Sequence, residues 1–286
     1  MSAVVVGVDG SEEGLGAARW AAAEAAWRGV GLRIVTAVSR WEVPGADSGP
    51  ARGGAVPRPQ QNLRAAAQAA KEISPKIDVH DEVLGEDPAR ALLHAAEGAP
   101  VLAIGSRALG PVAGFVLGSV GLSVIAHATM PVVAVRQQVA RSLGTAPIVV
   151  GLDLRHSYGP LLDFAFETAD RRGAALRVAH AWSAQGLYSY PSALPDPAVL
   201  ERVGDSAEAE LSQALSPWRR RFPRLGVDTE LAMGASAPFL VESSTDASLL
   251  VVGRRLRGHP FPTRIGPVTH AALHHAACPV AVVPHE

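Results

Sequence analysis

The sequence predicts two doubly wound α/β domains in tandem, each a Rossmann-like parallel sheet flanked by helices. Three observations lead there. The chain has 286 residues, which is two lengths near 140, an ordinary domain size. It repeats itself: Asp9 in VVVGVDGS aligns with Asp153 in IVVGLDLRHS, an offset of 144, and Arg28-Gly29 meets Arg172-Gly173 at the same offset. Further on, Gly105, Gly118, His127 and Pro131 match Gly253, Gly266, His275 and Pro279, all 148 apart. A constant offset with one four-residue step is the mark of a duplication. Third, continuous apolar runs alternate with Ala-rich stretches at helical spacing, the pattern of buried parallel strands joined by helices.

The elements follow in order. Ala3 to Asp9 is an unbroken apolar run that reads as a strand buried on both faces. Ser11 caps a helix running to about Arg28, with Glu12 and Glu13 in its first turn and Gly29 at its end. Leu32 to Val38 is the second strand. Residues 44–59, PGADSGPARGGAVPRP, carry too much Gly and Pro for regular structure. A helix over Gln60 to Ile73, a strand over Lys76 to Leu84 and a helix from Asp87-Pro88 to about Glu97 come next. Val101 to Gly105 is a strand, a glycine-rich loop leads into a helix from Ser119 to Ala128, and Pro131 to Arg136 is the last strand. The second unit repeats this order, with residues 183–197 in place of loop 44–59. The domains are therefore expected at 1–140 and 147–286, joined by a linker at 141–146.

Composition narrows the function. Charged residues make up 19% and the net charge is −1, which argues against bulk nucleic-acid binding. The single cysteine, Cys278, cannot form an internal disulfide. The N-terminus lacks a basic region ahead of its short apolar run, and no apolar stretch reaches about 18 residues. The expectation is a cytoplasmic protein with no membrane partner.

In doubly wound sheets ligands bind outside the carboxyl ends of the strands. Two features converge there in the first unit. One is the turn Asp9-Gly10-Ser11. The other is the loop Gly105 to Ser119, GSRALGPVAGFVLGS, with four glycines. Glycines let backbone approach a ligand, and Gly118-Ser119 at a helix start offers free N–H groups, the dipole end and a hydroxyl for an anion. Arg107 adds a cation within reach of phosphate. The alternative is that the glycines only end a strand and Ser119 only caps a helix. Two common nucleotide motifs are absent: Pro111 stands where a P-loop needs lysine, and GVDGSEEG is not GxGxxG.

The layout VGVDGS, then GSR…G-x9-GS, a helix ending in HA and a terminal PVVAV resembles the universal stress protein family, and both halves resemble it. That resemblance implies a tandem stress-response protein that binds ATP, with or without Mg2+, through G-x2-G-x9-G-[ST]. Gly105, Gly118 and Ser119 match the pattern. Ala108 replaces its second glycine, and Gly110 stands two residues later as a partial substitute. By resemblance, Asp9 and Val38 contact adenine or ribose, with Ser11 beside them. Val8 lines the base, and Gly105, Arg107, Gly118, Ser119 and Val120 meet the phosphates. The resemblance also implies that the two units pair through Pro131–Val135 and Pro279–Val283, with a homodimer as the further possibility. The second loop departs more: Leu256 replaces the second glycine and Gly266-Pro267 replaces Gly-Ser, so one ATP per chain is expected, in unit one. Arg254, Arg255, Arg257 and Arg264 are either a residual anion site or a solvated basic loop.

A non-enzymatic regulator is the leading expectation, with a slow ATP hydrolase and a scaffold that has lost its ligand as the alternatives. His270, His274 and His275 share a helix but lack the spacing and third ligand of a zinc site, so no metal is expected. Trp20, Trp27 and Phe164 read as core packing.

Overall fold

The fold described here is that of a computed structural model, which describes residues 2–38, 58–108, 115–136, 144–182, 197–256 and 265–286. The chain packs as two compact units, one built mainly before residue 144 and one mainly from Gly144 onward.

In the first unit β1 (Ala3–Gly7) is followed by α1 (Glu12–Arg28), and β2 (Gly31–Ala37) by α2 (Arg58–Ile73). Then come β3 (Val79–Leu84), α3 (Pro88–Ala95), β4 (Leu102–Ala108), the short β5 (Phe115–Val116), α4 (Ser119–His127) and β6 (Val132–Arg136). The helix ends obey the chemistry of their caps. The Ser11 hydroxyl accepts from the Gly14 N–H at 3.1 Å, and Gly29 closes α1 at φ 66°, a conformation only glycine adopts without cost. Asp87 accepts from the Ala89 and Arg90 N–H groups, with Pro88 in the first turn.

The strands lie in the order β3-β2-β1-β4-β6, all parallel, with β1 registering Val4 on Leu32 and Val5 on Leu102. Because β2 and β3 lie to one side of β1 and β4 to the other, the strand order reverses between β1 and β4. That reversal opens a crevice at their carboxyl ends. The sheet's centre is dry: Val4, Val6, Ile34, Leu102, Ala103 and Val133 are fully buried, and each such branched side chain contributes about 1.5–3 kcal/mol. Trp20 is buried as well, packing as the sequence led us to expect.

The second unit repeats the plan with β7 (Ile148–Gly151), α5 (Gly159–Arg172), β8 (Leu176–Trp182), α6 (Pro197–Arg221), β9 (Val227–Met233), α7 (Ser236–Ser243), β10 (Leu249–Arg255), α8 (Pro267–His275) and β11 (Val280–His285). Its parallel run is β10-β7-β8-β9. The register locates the four-residue step. Leu32 and Leu176 are 144 apart, while their partners Val79 and Val227 are 148 apart, so the extra residues lie between β8 and β9. That connection holds the 25-residue α6, against 16 residues in α2.

One ion network is copied across the duplication. Arg33 donates to Glu82 at 2.6 Å and to the Ala95 carbonyl at 2.7 Å. Arg177 pairs with Glu230 at 3.2 Å and donates to the Ser243 carbonyl at 2.8 Å. In both units an arginine on the second strand ties the third strand to the helix after it.

Three expectations need adjusting. Helix α2 begins at Arg58 rather than Gln60, because Pro59 is well suited to a first helical turn; the rest of the predicted loop 44–59 lies outside the described residues. The third strand starts at Val79 rather than Lys76, behind a turn at Pro75-Lys76. The strand predicted to stop at Gly105 runs on to Ala108, since Arg107 and Ala108 find partners in Val116 and Phe115 of β5.

Candidate functional site

The carboxyl ends of β1 and β4 bring Asp9, Ser11 and Arg107 of the predicted residues together. Val8 is buried, donates its N–H to the Val35 carbonyl at 2.9 Å, and its own carbonyl accepts from the Thr36 hydroxyl. That latch fixes the point where the chain leaves the sheet and Asp9 turns outward. The Asp9 carboxylate accepts from the Ser11 N–H at 3.0 Å and from the Ser11 hydroxyl. The same hydroxyl caps α1, so one serine fixes both the turn and the helix start. Arg107, on β4, stands 3.6 Å from the other Asp9 oxygen, and both side chains are mostly exposed. Burial pushes the Asp9 pKa up; the hydrogen bonds from Ser11 and the charge of Arg107 outweigh it and hold the carboxyl below its ordinary range. Asp9 is therefore an ionised acceptor at neutral pH, with solvent access.

Val38 donates its N–H to the Leu84 carbonyl at 2.9 Å and is half-buried at the end of β2. Gly105 sits on β4 close against the start of α1. A Cβ there would lie 2.8–2.9 Å from the backbone of Glu13 and Gly14, so the close seat of α1 on β4 accounts for this glycine. Gly110 lies outside the described residues.

The antiparallel turn-back of β5 brings the chain back toward the crevice. With Arg107 opposite Val116, continuing the register would set Gly105 opposite Gly118. Gly118 is the N-cap of α4, at φ −61° and ψ 168°, and no side chain caps the helix. The first ladder bond of α4 runs from the Leu122 N–H to the Gly118 carbonyl, so the helix itself leaves the N–H groups of Ser119, Val120 and Gly121 open. Gly118, Ser119 and Val120 are exposed. Neither the backbone at Gly118 nor any atom within 4 Å of a built Cβ requires glycine there. Among the described residues none comes within 4 Å of that Cβ position. That is the fit expected of a phosphate cradle.

No motif or spacing in the residues points to Asn62. Its amide lies 2.4–2.7 Å from where a Gly10 Cβ would sit, with Gly10 at φ 84°. A positive φ and that neighbour both demand glycine between Asp9 and Ser11. Only the fold brings α2 to this turn.

The equivalent corner of the second half is built from other contacts. Asp153 accepts from the Arg155 N–H at 3.1 Å and from its guanidinium at 3.0 and 3.2 Å. His156 Nδ1 lies 2.9 Å from Asp153 Oδ2, and Arg255 Nη1 lies 2.6 Å from His156 Nε2. The His156 ring thus stands between the Asp153 carboxylate and the Arg255 guanidinium. Burial pushes the Asp153 pKa up, but the Arg155 and His156 hydrogen bonds bring it to about 2. Gly253 is backed by the His285 ring, with Nε2 2.6 Å from a built Cβ. Helix α8 starts with Pro267 after the N-cap Gly266, so it has one N–H fewer than α4 and no hydroxyl there.

The remaining candidates resolve simply. His127 Nδ1 lies 2.8 Å from the Ser123 carbonyl and finishes α4. His270 and His274 have ring centroids 4.2 Å apart on α8. Among the described residues no three His, Cys, Asp or Glu side chains group as metal ligands, and no helix is long and apolar enough to cross a membrane.

Comparison with known proteins gives a consistent outcome. The model of the universal stress protein family matches twice, over residues 1–136 and 145–284. Two universal stress proteins of Mycobacterium tuberculosis strain ATCC 25618 / H37Rv are each 31% identical over 297 residues, 98% of this chain and 94% and 96% of theirs. Among solved structures, a universal stress protein from Archaeoglobus fulgidus DSM 4304 superposes with a TM-score of 0.67 at 17% identity, covering 99% of this chain and 98% of its own. A universal stress protein in complex with cAMP is 29% identical over 48% of this chain and 98% of its own, with a TM-score of 0.38.

Proposed function

The chain belongs to the universal stress protein family as a two-repeat member, and from that premise we propose that its first half binds ATP and acts as a nucleotide-responsive, non-enzymatic regulator. The observation that carries this is Gly118. Its backbone and the described neighbours of its Cβ position do not require glycine, it caps a helix that leaves its own first-turn N–H groups without an intrahelical partner, and the same half of the chain sets the Asp9 carboxylate 3.6 Å from an exposed arginine, Arg107.

The residues divide the work by charge. The N–H groups of Ser119, Val120 and Gly121 and the Ser119 hydroxyl face phosphoryl oxygens, assisted by the positive end of the α4 dipole. Arg107 is held by Asp9 only across 3.6 Å and in solvent, a pair worth little, so it is free to turn to phosphate. Asp9 accepts from the ligand's ribose hydroxyls or exocyclic amine, with Val8 and Val38 lining the base. The apolar strands Val132–Arg136 and Val280–His285 support pairing of the two domains, 1–140 and 147–286, as part of the same proposal, and homodimers with it. Mg2+ would ride on the phosphates as their counter-ion.

Hydrolysis finds less support. A water lined up with the γ-phosphate needs a base to orient it, and Asp9 is held below its ordinary pKa, which makes it a weak proton acceptor. Calorimetry of the intact chain with ATP tests the proposal: one site per chain is expected. No heat of binding, or two equivalent sites, overturns it. Turnover with Mg2+ is expected to stay far below about one per second; a faster rate would establish the enzyme instead.

A further inference from the structure

The turn Asp9-Gly10-Ser11 has against it a polar group that the nucleotide proposal leaves unused, the Asn62 amide of α2. Around it the helix buries Leu63, Ala66 and Ala70 and leaves Gln61, Arg64 and Ala65 exposed, so that Asn62 is half-buried on the flank between the two faces. Its Oδ1, Cγ and Nδ2 lie at nearly equal distances from where a Gly10 Cβ would sit. An amide so placed faces the turn with its plane, which turns its hydrogen-bonding edge aside from Gly10. Among the described residues no hydrogen bond reaches that edge. A half-buried amide gives up water without replacement, a cost that a partner from outside the chain would offset. The second half has Leu154 in the place of Gly10, and among the described residues no residue other than glycine takes a positive φ, so its turn does not copy this one.

The strand order sets what Asn62 would meet. The carboxyl ends run β4, β1, β2 across the sheet, bearing Arg107, Asp9 and Val38 in turn. A nucleotide with its phosphates at α4 therefore has its ribose near Asp9 and its base toward β2. Helix α2 starts from that β2 end, because the connection must cross back to the amino end of the parallel strand β3, and it packs on both strands. Resting on the nucleotide reading of the first half, we propose that Asn62 selects the base as adenine. Its Oδ1 accepts from the N6 amine and its Nδ2 donates to N7, which leaves Asp9 to the ribose hydroxyls. That edge of adenine sets a donor beside an acceptor, and an amide matches both at once. Guanine has acceptors at both positions, O6 and N7, and would set an oxygen against Asn62 Oδ1.

Calorimetry of the full chain with ATP, 7-deaza-ATP and GTP tests this, in the wild type and in Asn62→Ala. Alanine suits a helix already rich in it, so the fold is expected to hold. 7-Deaza-ATP has a C–H in place of N7 and loses one hydrogen bond. The wild type is expected to bind it about threefold to tenfold more weakly than ATP, and GTP more weakly by about tenfold or more. In Asn62→Ala the affinity for ATP is expected to fall about tenfold, 7-deaza-ATP to match ATP, and the gap to GTP to close. A wild type that binds ATP no tighter than 7-deaza-ATP overturns the proposal. So does a variant that keeps the wild-type ratios, including one that loses affinity equally for all three ligands, which would make Asn62 a support of the turn. A wild type that binds no ATP overturns the nucleotide reading itself, whereas ATP binding with unchanged ratios overturns only the selection of the base by Asn62.

Discussion

Among the described residues of the first half, the carboxylate after the first strand holds its own turn and, loosely, Arg107 at 3.6 Å. In the second half its counterpart Asp153 is bound by Arg155 and His156, and through His156 by Arg255. Elsewhere the halves remain alike: Arg33 and Arg177 make the same ties, to Glu82 and the Ala95 carbonyl in one and to Glu230 and the Ser243 carbonyl in the other. Scaffold contacts survive duplication because each bears on packing. Contacts at the strand ends can diverge, because the sheet does not depend on them. The difference separates the part of the molecule that holds the fold from the strand ends where the nucleotide is proposed to bind.

The largest test swaps one residue between the halves. Ser119→Pro copies the second half into the first. The backbone is already suited to it: Gly118 has ψ 168° and Gly266, which precedes Pro267, has ψ 158°, the extended conformation that must precede proline. The fold is expected to persist while two charge-assisted hydrogen bonds to phosphate disappear, each worth about 1.5–3 kcal/mol. ATP affinity should fall by about 10² to 10⁴. Calorimetry showing wild-type affinity in this variant would remove α4 from the site.

Next is a pair of glycines at matching positions with different neighbours. Gly105→Ala presses a methyl onto the backbone of Glu13 and Gly14 at 2.8–2.9 Å, whereas Gly253→Ala meets only the far end of the His285 side chain. Backbone cannot step aside without moving α1, so Gly105→Ala should cost about 1–3 kcal/mol. Gly253→Ala should cost under about 1 kcal/mol, because a ring can rotate away. Denaturant midpoints compare them, and equal losses would mean that α1 does not seat as described. Gly118→Ala should do the reverse of Gly105→Ala. Its stability is expected to stay within about 0.5 kcal/mol of wild type, while ATP affinity drops by about tenfold; a loss of stability with affinity intact would make Gly118 a structural residue.

Much of this was legible in the residues. The apolar runs, Ser11 and Asp87 before helices, and Gly29 and Gly173 after them dictate elements locally, so the strand and helix order could be read directly. The site was legible only in part. Asp9, Ser11 and Arg107 converge as the alternation implies. The turn-back of β5 on Arg107 was missed because Phe115-Val116 is too short to show a period. Asn62 and His285 reach their corners through tertiary folding alone, and no spacing in sequence points to either. Gly105 shows the limit of motif reading, since the same glycine satisfies a phosphate pattern and a close helix seat.

The smallest expected effect separates the two aspartates by acid. The Asp153 carboxyl, at about 2 against an ordinary 3.8, is depressed in the folded chain. A depressed carboxyl adds stability that is complete above its unfolded pKa and is lost as pH falls from about 4 toward about 2. Its side chain is 44% exposed, so solvent screening holds the contribution to about 0.5–1 kcal/mol. Asp153→Asn should therefore lower the stability of the second half by that amount at neutral pH, and the difference from wild type should close as pH approaches about 2. Asp9 is depressed in the same direction, but its side chain is 63% exposed and the Arg107 nitrogen stands 3.6 Å away, so Asp9→Asn should give a smaller loss with the same sign. Denaturant titrations at a series of pH values measure both. If Asp153→Asn falls no further below wild type at pH 7 than at pH 2, the Arg155 and His156 bonds do not hold that carboxylate in solution, and the contrast between the two corners fails.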